Sequence, residues 1–396
     1  MPDIKTWTLE QIKEHIDLCM NCGACFARGP IVPHNWRVLP PHEWSSPERK
    51  CPIFEHYRFR AYSGYGIGVL AMIAFRDKYP ITDELASIAY SCTSCGMCTE
   101  ICKIFQPLYG IWALREEIAA KGFMPKSMKK ICDTIEEKGA IFRGKPIEIP
   151  EAPVKGDTFY FSGCYGRYRT PEVSRAALRV LKAGGIDAAI LGENERCCGF
   201  VAKYSGNRGL FERQATNNIE ELKKAGAKRV IVSCAHCYRA WKVDYPRHAG
   251  EMPFEVFHFS EVMAQSVAEK KLPLKEIGGK VTYHDPCFLG RHCGIYEQPR
   301  AVLSNIPGTT IVEMERYGKW SYCCGAGGKV TLNHAPACAG AASQDRLREA
   351  MNAADTVVTG CTTCYDHMRR SALKHNIPVR VYDLPLFLEK ALDAPV

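Results

Sequence analysis

Cys92, Cys95, Cys98 and Cys102 stand in the spacing Cys-x2-Cys-x2-Cys-x3-Cys. Three thiolates on so tight a loop can cap three corners of an iron–sulfur cube, and in two-cluster ferredoxins the fourth reaches across to the other cube. Zinc, which takes four ligands usually arranged as two separated pairs, fits this spacing poorly. Cys19, Cys22 and Cys25 repeat the three-cysteine loop, but Gly29 and Pro30 stand where a Cys-Pro belongs. The next cysteine is Cys51, followed by Pro52, so residues 26–50 read as an insertion that displaces the Cys-Pro. The expected sets are Cys19, Cys22, Cys25 and Cys102 for one cubane [4Fe-4S] cluster, and Cys51, Cys92, Cys95 and Cys98 for the other. A three-iron first cluster with Cys51 structural is the alternative. The insertion, with Trp36, Trp44 and several prolines, reads as a loop that shields a cluster or docks a partner.

Two further sets hold five thiols each: Cys164, Cys197, Cys198, Cys234 and Cys237, then Cys287, Cys323, Cys324, Cys361 and Cys364. Five is one too many for an ordinary cube or a structural zinc. A vicinal pair suits a core in which one thiolate bridges irons while its neighbour binds terminally. Gly199 and Gly325 follow the pairs and let the backbone approach a bulky inorganic group. A strained vicinal disulfide would not explain why the pattern occurs twice. Several polar groups adjoin these cysteines: His284, Asp285, His236, Tyr165, Tyr238 and Tyr365. Any of them could donate a proton or simply orient a loop, and the sequence assigns no catalytic acid among them. Cys132, Cys293 and Cys338 read as core or surface thiols.

The elements that must carry these sets form an internal repeat with an offset of 123 to 127 residues. Short strands, Thr158–Gly163 and Val281–Pro286, lead into Cys164 and Cys287. Helices such as Glu172–Ala183 follow, then short strands at Asp187–Leu191 and Thr310–Val312. The Cys-Cys-Gly turn comes next, then a further helix and a buried-type strand, Arg229–Ser233 or Thr356–Gly360, ending at Cys-x2-Cys. Alternating strands and helices predict two similar α/β domains with cysteines at strand ends. The stretch Gly139–Gly156 reads as a linker, and a second boundary falls near Leu272–Gly279. The predicted architecture is α+β and α/β. A mainly helical, ferredoxin-like two-cluster module occupies residues 1–150, and two pseudo-symmetric Cys-Cys-Gly domains occupy 151–272 and 273–396.

A chain of 396 residues with 46% apolar and 24% charged residues is an ordinary globular protein of two or three domains in all but its 21 cysteines. The N-terminus has no signal-peptide pattern and no apolar run is long enough to span a bilayer. These features predict a cytoplasmic protein, or one peripheral to the inner membrane through a partner subunit. In that reducing compartment a thiol-rich chain binds metal rather than forming structural disulfides. The formal charge of +9 counts every thiol as neutral. Two cubanes alone would remove about four units of charge. No basic run interleaved with aromatics argues for nucleic acid.

On these motifs the sequence resembles the iron–sulfur oxidoreductases with paired Cys-Cys-Gly domains, typified by the D subunit of heterodisulfide reductase, over nearly its whole length. The resemblance implies a noncubane [4Fe-4S] cluster at each five-thiol set. It also implies that the two clusters face one another, each taking one sulfur of a disulfide while two cubanes act as the wire. No Gly-x-Gly-x2-Gly lies between a strand and a helix, so no flavin or nicotinamide is expected in this chain. Gly325, Gly327, Gly328 and Lys329 have the wrong spacing for a phosphate loop. Electrons are therefore expected from another redox subunit, a flavoprotein, iron–sulfur protein or membrane cytochrome. The expected substrate is a disulfide or persulfide. The competing expectation is a subunit that only relays electrons within a larger complex.

Overall fold

The computed structural model describes residues 11–12, 51–102, 106–149, 153 and 155–393. Cys19, Cys22, Cys25 and the 26–50 insertion lie outside the described residues. The chain divides into two compact units. The first comprises Met1–Lys130, Lys203–Arg208 and Tyr322–Ala342; the second comprises Ile131–Ala202, Gly209–Ser321 and Ser343–Val396.

The first unit is helical among its described residues, with helices at Pro52–Tyr57, Gly64–Arg76, Asp83–Ser91, Met97–Ile101 and Pro107–Ala120. Local chemistry sets their ends. Ser63 and Thr82 cap the second and third by accepting the amides of Gly66 and Leu85. Asp83 and Glu84 place negative charge in the first turn of the third. That helix stops at Cys92, whose extended backbone begins the cysteine loop.

The second unit contains two all-parallel sheets. β1 (Thr158–Phe161), β2 (Arg229–Val232) and β3 (Glu255–His258) form the first in the order β1-β2-β3. β4 (Gly279–His284), β5 (Thr309–Ile311), β6 (Thr356–Thr359) and β7 (Arg380–Asp383) form the second in the order β5-β4-β6-β7. The apolar runs of β1 and β6 are buried at every residue, as parallel strands covered on both faces require. The strand expected at Asp187–Leu191 reduces to a single parallel bridge, Phe159 to Ala189, on the edge where β5 lies in the other sheet. The repeat is thus real in topology, with one strand worn down to a residue pair.

The repeats share one core. The helix Pro171–Ala183 of the first packs on Leu384–Lys390 of the second, and Phe259–Ala268 of the first packs on Glu297–Ser304 of the second. Tyr160, Val180, Met263, Tyr283, Val302 and Leu388 belong to the same buried cluster. A helix that follows the first cysteine of each copy thus meets the last helix of the other, a two-fold exchange. Among its described residues the stretch expected as a linker has no regular element after Lys138, yet it is anchored. Gly139 O accepts Cys197 N at 2.6 Å, Ile147 N donates to Arg167 O at 2.7 Å, and Ile149 enters the core.

Candidate metal centres

The first five-thiol set lies wholly within the second unit. β1 delivers Cys164 at the start of the short helix Gly163–Tyr168, and β2 delivers Cys234 and Cys237 at the start of Ala235–Arg239. Both therefore sit beyond the carboxyl ends of neighbouring parallel strands, where open α/β sheets leave a crevice. The turn before Phe200–Tyr204 adds Cys197 and Cys198. All five are at least nine-tenths buried. Cys237 donates to Cys198 at 3.4 Å, and Cys197 is within hydrogen-bond reach of both Cys164 and Cys198. Donation from Cys197 and Cys237 holds the Cys198 thiol well below its ordinary value, although burial opposes this.

The backbone of the vicinal pair is pinned. Asn218 donates to Cys197 O at 3.1 Å and Tyr245 OH to Cys198 O at 3.1 Å. Gly199 has φ +74°, and a Cβ there would meet Phe211 at 3.1 Å. Glu195, buried, accepts the amides of Ser162 and Gly163 at 2.9 and 2.8 Å and so fixes the turn that presents Cys164. Burial pushes its carboxyl up to about 7, against Arg167 and those two amides.

Between the two Cys-x2-Cys turns stands His236. Its Nδ1 is 3.7 Å from Cys234 Sγ and 3.8 Å from Cys361 Sγ, and its ring packs against Phe200 and Phe288. Burial disfavours the charged ring, but Cys361 and Cys234 outweigh it and hold His236 well above its ordinary value. Thr363, the counterpart of His236 in the other repeat, is 3.9 Å from Cys234 Sγ.

Of the second set, Cys287, Cys361 and Cys364 belong to the second unit, whereas Cys323 and Cys324 belong to the first. Arg346 Nε donates to His284 Nδ1 at 3.0 Å. A guanidinium only donates, so the neutral ring carries its proton on Nε2. That nitrogen is buried without a hydrogen-bond partner among the described residues. A ring nitrogen of His284 lies within 4.8 Å of the Cys364 sulfur. Asp285 is occupied otherwise, since both its oxygens accept from Arg300, at 2.7 and 2.9 Å. Tyr365 OH reaches Glu172 at 3.4 Å. Burial pushes the hydroxyls of Tyr165, Tyr238 and Tyr365 upward.

In the first unit the loop Cys92–Cys98 turns through Ser94 (φ +55°) and Gly96 (φ +77°). Cys51 stands at the N-cap position of the helix Pro52–Tyr57 and makes no side-chain cap hydrogen bond there. Burial pushes the Cys51 thiol up to about 12, with Cys95 and Cys92 adding to the effect. Burial likewise pushes Cys92 up to about 11, against Arg115. Cys51 thus falls beside Cys92 and Cys95, while Cys102, at the end of Met97–Ile101, is half-buried. Cys323 also adds to the shift on Cys92. Thr331, a few residues past the second vicinal pair, donates to Cys92 O at 2.9 Å.

These residues fit iron–sulfur cores. No described cysteine is in a disulfide, so neither vicinal pair is bridged. Buried thiols with raised values stay protonated until a metal displaces the proton. Glycines keep the sulfurs clear: a Cβ at Gly163 would sit 3.0 Å from Cys237 Sγ, and one at Gly64 2.6 Å from Cys98 Cβ. Gly64→Ala is expected to cost about 1–3 kcal/mol of overpacking and to lower the iron content. Gly68→Ala, in open space on the same helix, should not. Iron per chain for the two variants checks this.

Cys338 is fully buried, its thiol pushed up to about 12 by burial and by Cys51, Cys323 and Cys92, while Cys132 is a buried helix thiol. Sequence reasoning missed Arg115 and Glu195, which hold cysteine turns through the carbonyls of Ala89 and Cys92 and the amides of Ser162 and Gly163, and Arg346, which holds His284. No helix among the described residues is long and apolar enough to cross a membrane.

Residues 158–241 and 281–369 each match the Cysteine-rich domain family (CCG), and residues 15–105 match the 4Fe-4S dicluster domain family. The chain is 33% identical to the D subunit of the dihydromethanophenazine:CoB–CoM heterodisulfide reductase of Methanosarcina barkeri, over 95% of this chain and 94% of that one. It is 31% identical to an EtfAB:quinone oxidoreductase of Syntrophomonas wolfei, over 79% of this chain and 48% of that one. Among solved structures, a hypothetical protein from Helicobacter pylori shares the fold, with a TM-score of 0.60 at 13% identity over 83% of this chain and 68% of that one.

Proposed function

Because this chain belongs to the family of iron–sulfur oxidoreductases that includes the D subunit of heterodisulfide reductase, we propose that it takes electrons from a partner subunit and delivers them to a disulfide-type substrate. Residues 1–150 would form the relay and residues 151–272 and 273–396 the two reactive domains. Cys19, Cys22, Cys25 and Cys102 would hold one cubane cluster, and Cys51, Cys92, Cys95 and Cys98 the other. Cys164, Cys197, Cys198, Cys234 and Cys237 would hold one noncubane cluster, and Cys287, Cys323, Cys324, Cys361 and Cys364 its twin. Bound cores of this kind would supply one-electron chemistry.

The observation that carries this reading is the first five-thiol set, complete and gathered into one buried cradle. Reduction of a disulfide takes two electrons and two protons to give two thiols, so a pair of one-electron sites matches its stoichiometry. The chain's own part is to hold and orient. Asn218 and Tyr245 fix the vicinal pair. His236, gripped by Phe200 and Phe288, presents a nitrogen to sulfurs of both repeats.

The donor would be a flavoprotein, an iron–sulfur protein or a membrane cytochrome, with the chain working in the cytoplasm or at the inner membrane through that partner. The likeness to an EtfAB:quinone oxidoreductase supports a second reading, electron relay without a disulfide substrate. Anaerobic iron and sulfide analysis is expected to give about 16 irons per chain, four for each of four clusters. About half that value would remove the duplicated sites from the proposal. An EPR signal that appears in oxidised protein only with added thiol favours the disulfide reading; its absence favours relay.

A further inference from the structure

The helix Pro107–Ala120 buries a guanidinium completely: Arg115 has 0% exposure. Its nitrogens are fully engaged. Nε and Nη2 donate to Ala89 O at 3.1 and 2.9 Å, and Nη2 also to Cys92 O at 2.7 Å. Nη1 donates to Ser94 Oγ at 3.1 Å and to Tyr204 O at 3.0 Å. Every one of these partners is neutral, and the Tyr90 ring lies 5.3 Å from the guanidinium carbon, so among the described residues its hydrogen bonds are satisfied but no carboxylate pairs with its charge. An unpaired buried cation is strongly unfavourable unless an anion lies within reach. The loop that Arg115 grips, Ala89 to Ser94, carries Cys92 and leads to Cys95 and Cys98.

Four thiolates around a [4Fe-4S] core make a net anion, and that anion gains one more negative charge on reduction. Resting on the ligand set proposed above, we infer that Arg115 is the counter-charge of the cluster at Cys51, Cys92, Cys95 and Cys98 and raises its reduction potential. A fixed positive charge beside a core favours the more negative, reduced state, and low local dielectric strengthens the effect. Arg115 is a positioning residue in this role. It touches the loop, not the electrons, and its bond to Tyr204 O braces that loop from a second segment of the same unit. Its place is closely fitted, because a Cβ on Gly206 would lie 2.3 Å from Arg115 O.

The test is an anaerobic EPR redox titration of the full chain. The signal of this cluster is identified as the cubane signal lost in Cys98→Ala. In Arg115→Met the reduced-to-oxidised ratio of that signal at fixed potential is expected to fall at least about tenfold, which for a one-electron couple is about 59 mV. The other signals should hold. Arg115→Lys, which keeps the charge, should stay near the wild-type potential. If Arg115→Met does not load iron, Arg115→Gln, neutral but still able to donate, should titrate well below Arg115→Lys. An unshifted potential in the neutral variants, an equal shift in Arg115→Lys, or failure of all three to load this cluster would each overturn the inference. Absence of any Cys98-dependent signal in the wild type defeats the ligand set itself, a separate failure.

Discussion

Cys197→Ser is expected to strip about four irons from the chain and to leave the cubane EPR signals in place. Cys197 is the central thiol of the first set, within reach of Cys164 on one side and Cys198 on the other. Serine keeps the shape and the hydrogen bonds to Gly139 O and from Asn218, both of which involve the backbone of residue 197. The fold around the turn therefore survives, and what is lost is a sulfur ligand. Iron analysis together with EPR of the reduced protein checks this. Loss of all clusters at once would mean that Cys197 serves the fold rather than one metal centre.

Glu349→Gln is expected to destabilise the protein by about 3–5 kcal/mol, the usual cost of breaking a buried ion pair from one side. Glu349 is buried and is the anion shared by two buried guanidinium groups. Arg316 donates to it through Nη2 at 2.8 Å and through its backbone amide at 2.6 Å, and Arg346 Nη1 lies 3.0 Å away. Neutralising it leaves two cations facing each other with no carboxylate between them. Because Arg346 also holds His284, the damage should reach the end of β4, just before Cys287. A lowered melting temperature of the anaerobic protein, with iron lost early in the transition, is the expected reading. An unchanged melting temperature would defeat the argument.

What the sequence made legible follows from where the determinants lie. Four strands, β1, β2, β4 and β6, read directly, because each is a short apolar run stopping at a cysteine. β3 and β7 escaped notice although they carry a signal at the repeat offset: Phe254-Glu-Val-Phe-His258 and Val379-Arg-Val-Tyr-Asp383 each alternate after a proline. No cysteine draws attention to them, and no element is assigned to them from the sequence. The strand expected at Asp187–Leu191 failed for the opposite reason: Ala188, Ala189 and Ile190 are buried, yet only one position pairs with β1.

The thiols of the candidate sites were legible because ligand spacing is local. Arg115, Arg346 and Glu349 were not, because a charged residue on a helix reads as a solvated face. Nothing local says that Arg115 donates to a carbonyl 89 residues away. Cys338 shows the limit from the other side: sequence offered core or surface, and only packing decided for the core.

The discontinuity of the first unit has a consequence for biogenesis. Thr331 hydrogen-bonds to Cys92 across 239 positions of chain, and Tyr90 OH donates to Ser205 O at 2.6 Å. On the ribosome, the cysteine loop emerges long before the segments that brace it. At about 5–20 residues per second the wait for Thr331 is roughly 12–48 s. During that interval the loop that carries Cys92, Cys95 and Cys98 lacks its brace from Thr331, so the first unit cannot close until most of the chain has been made.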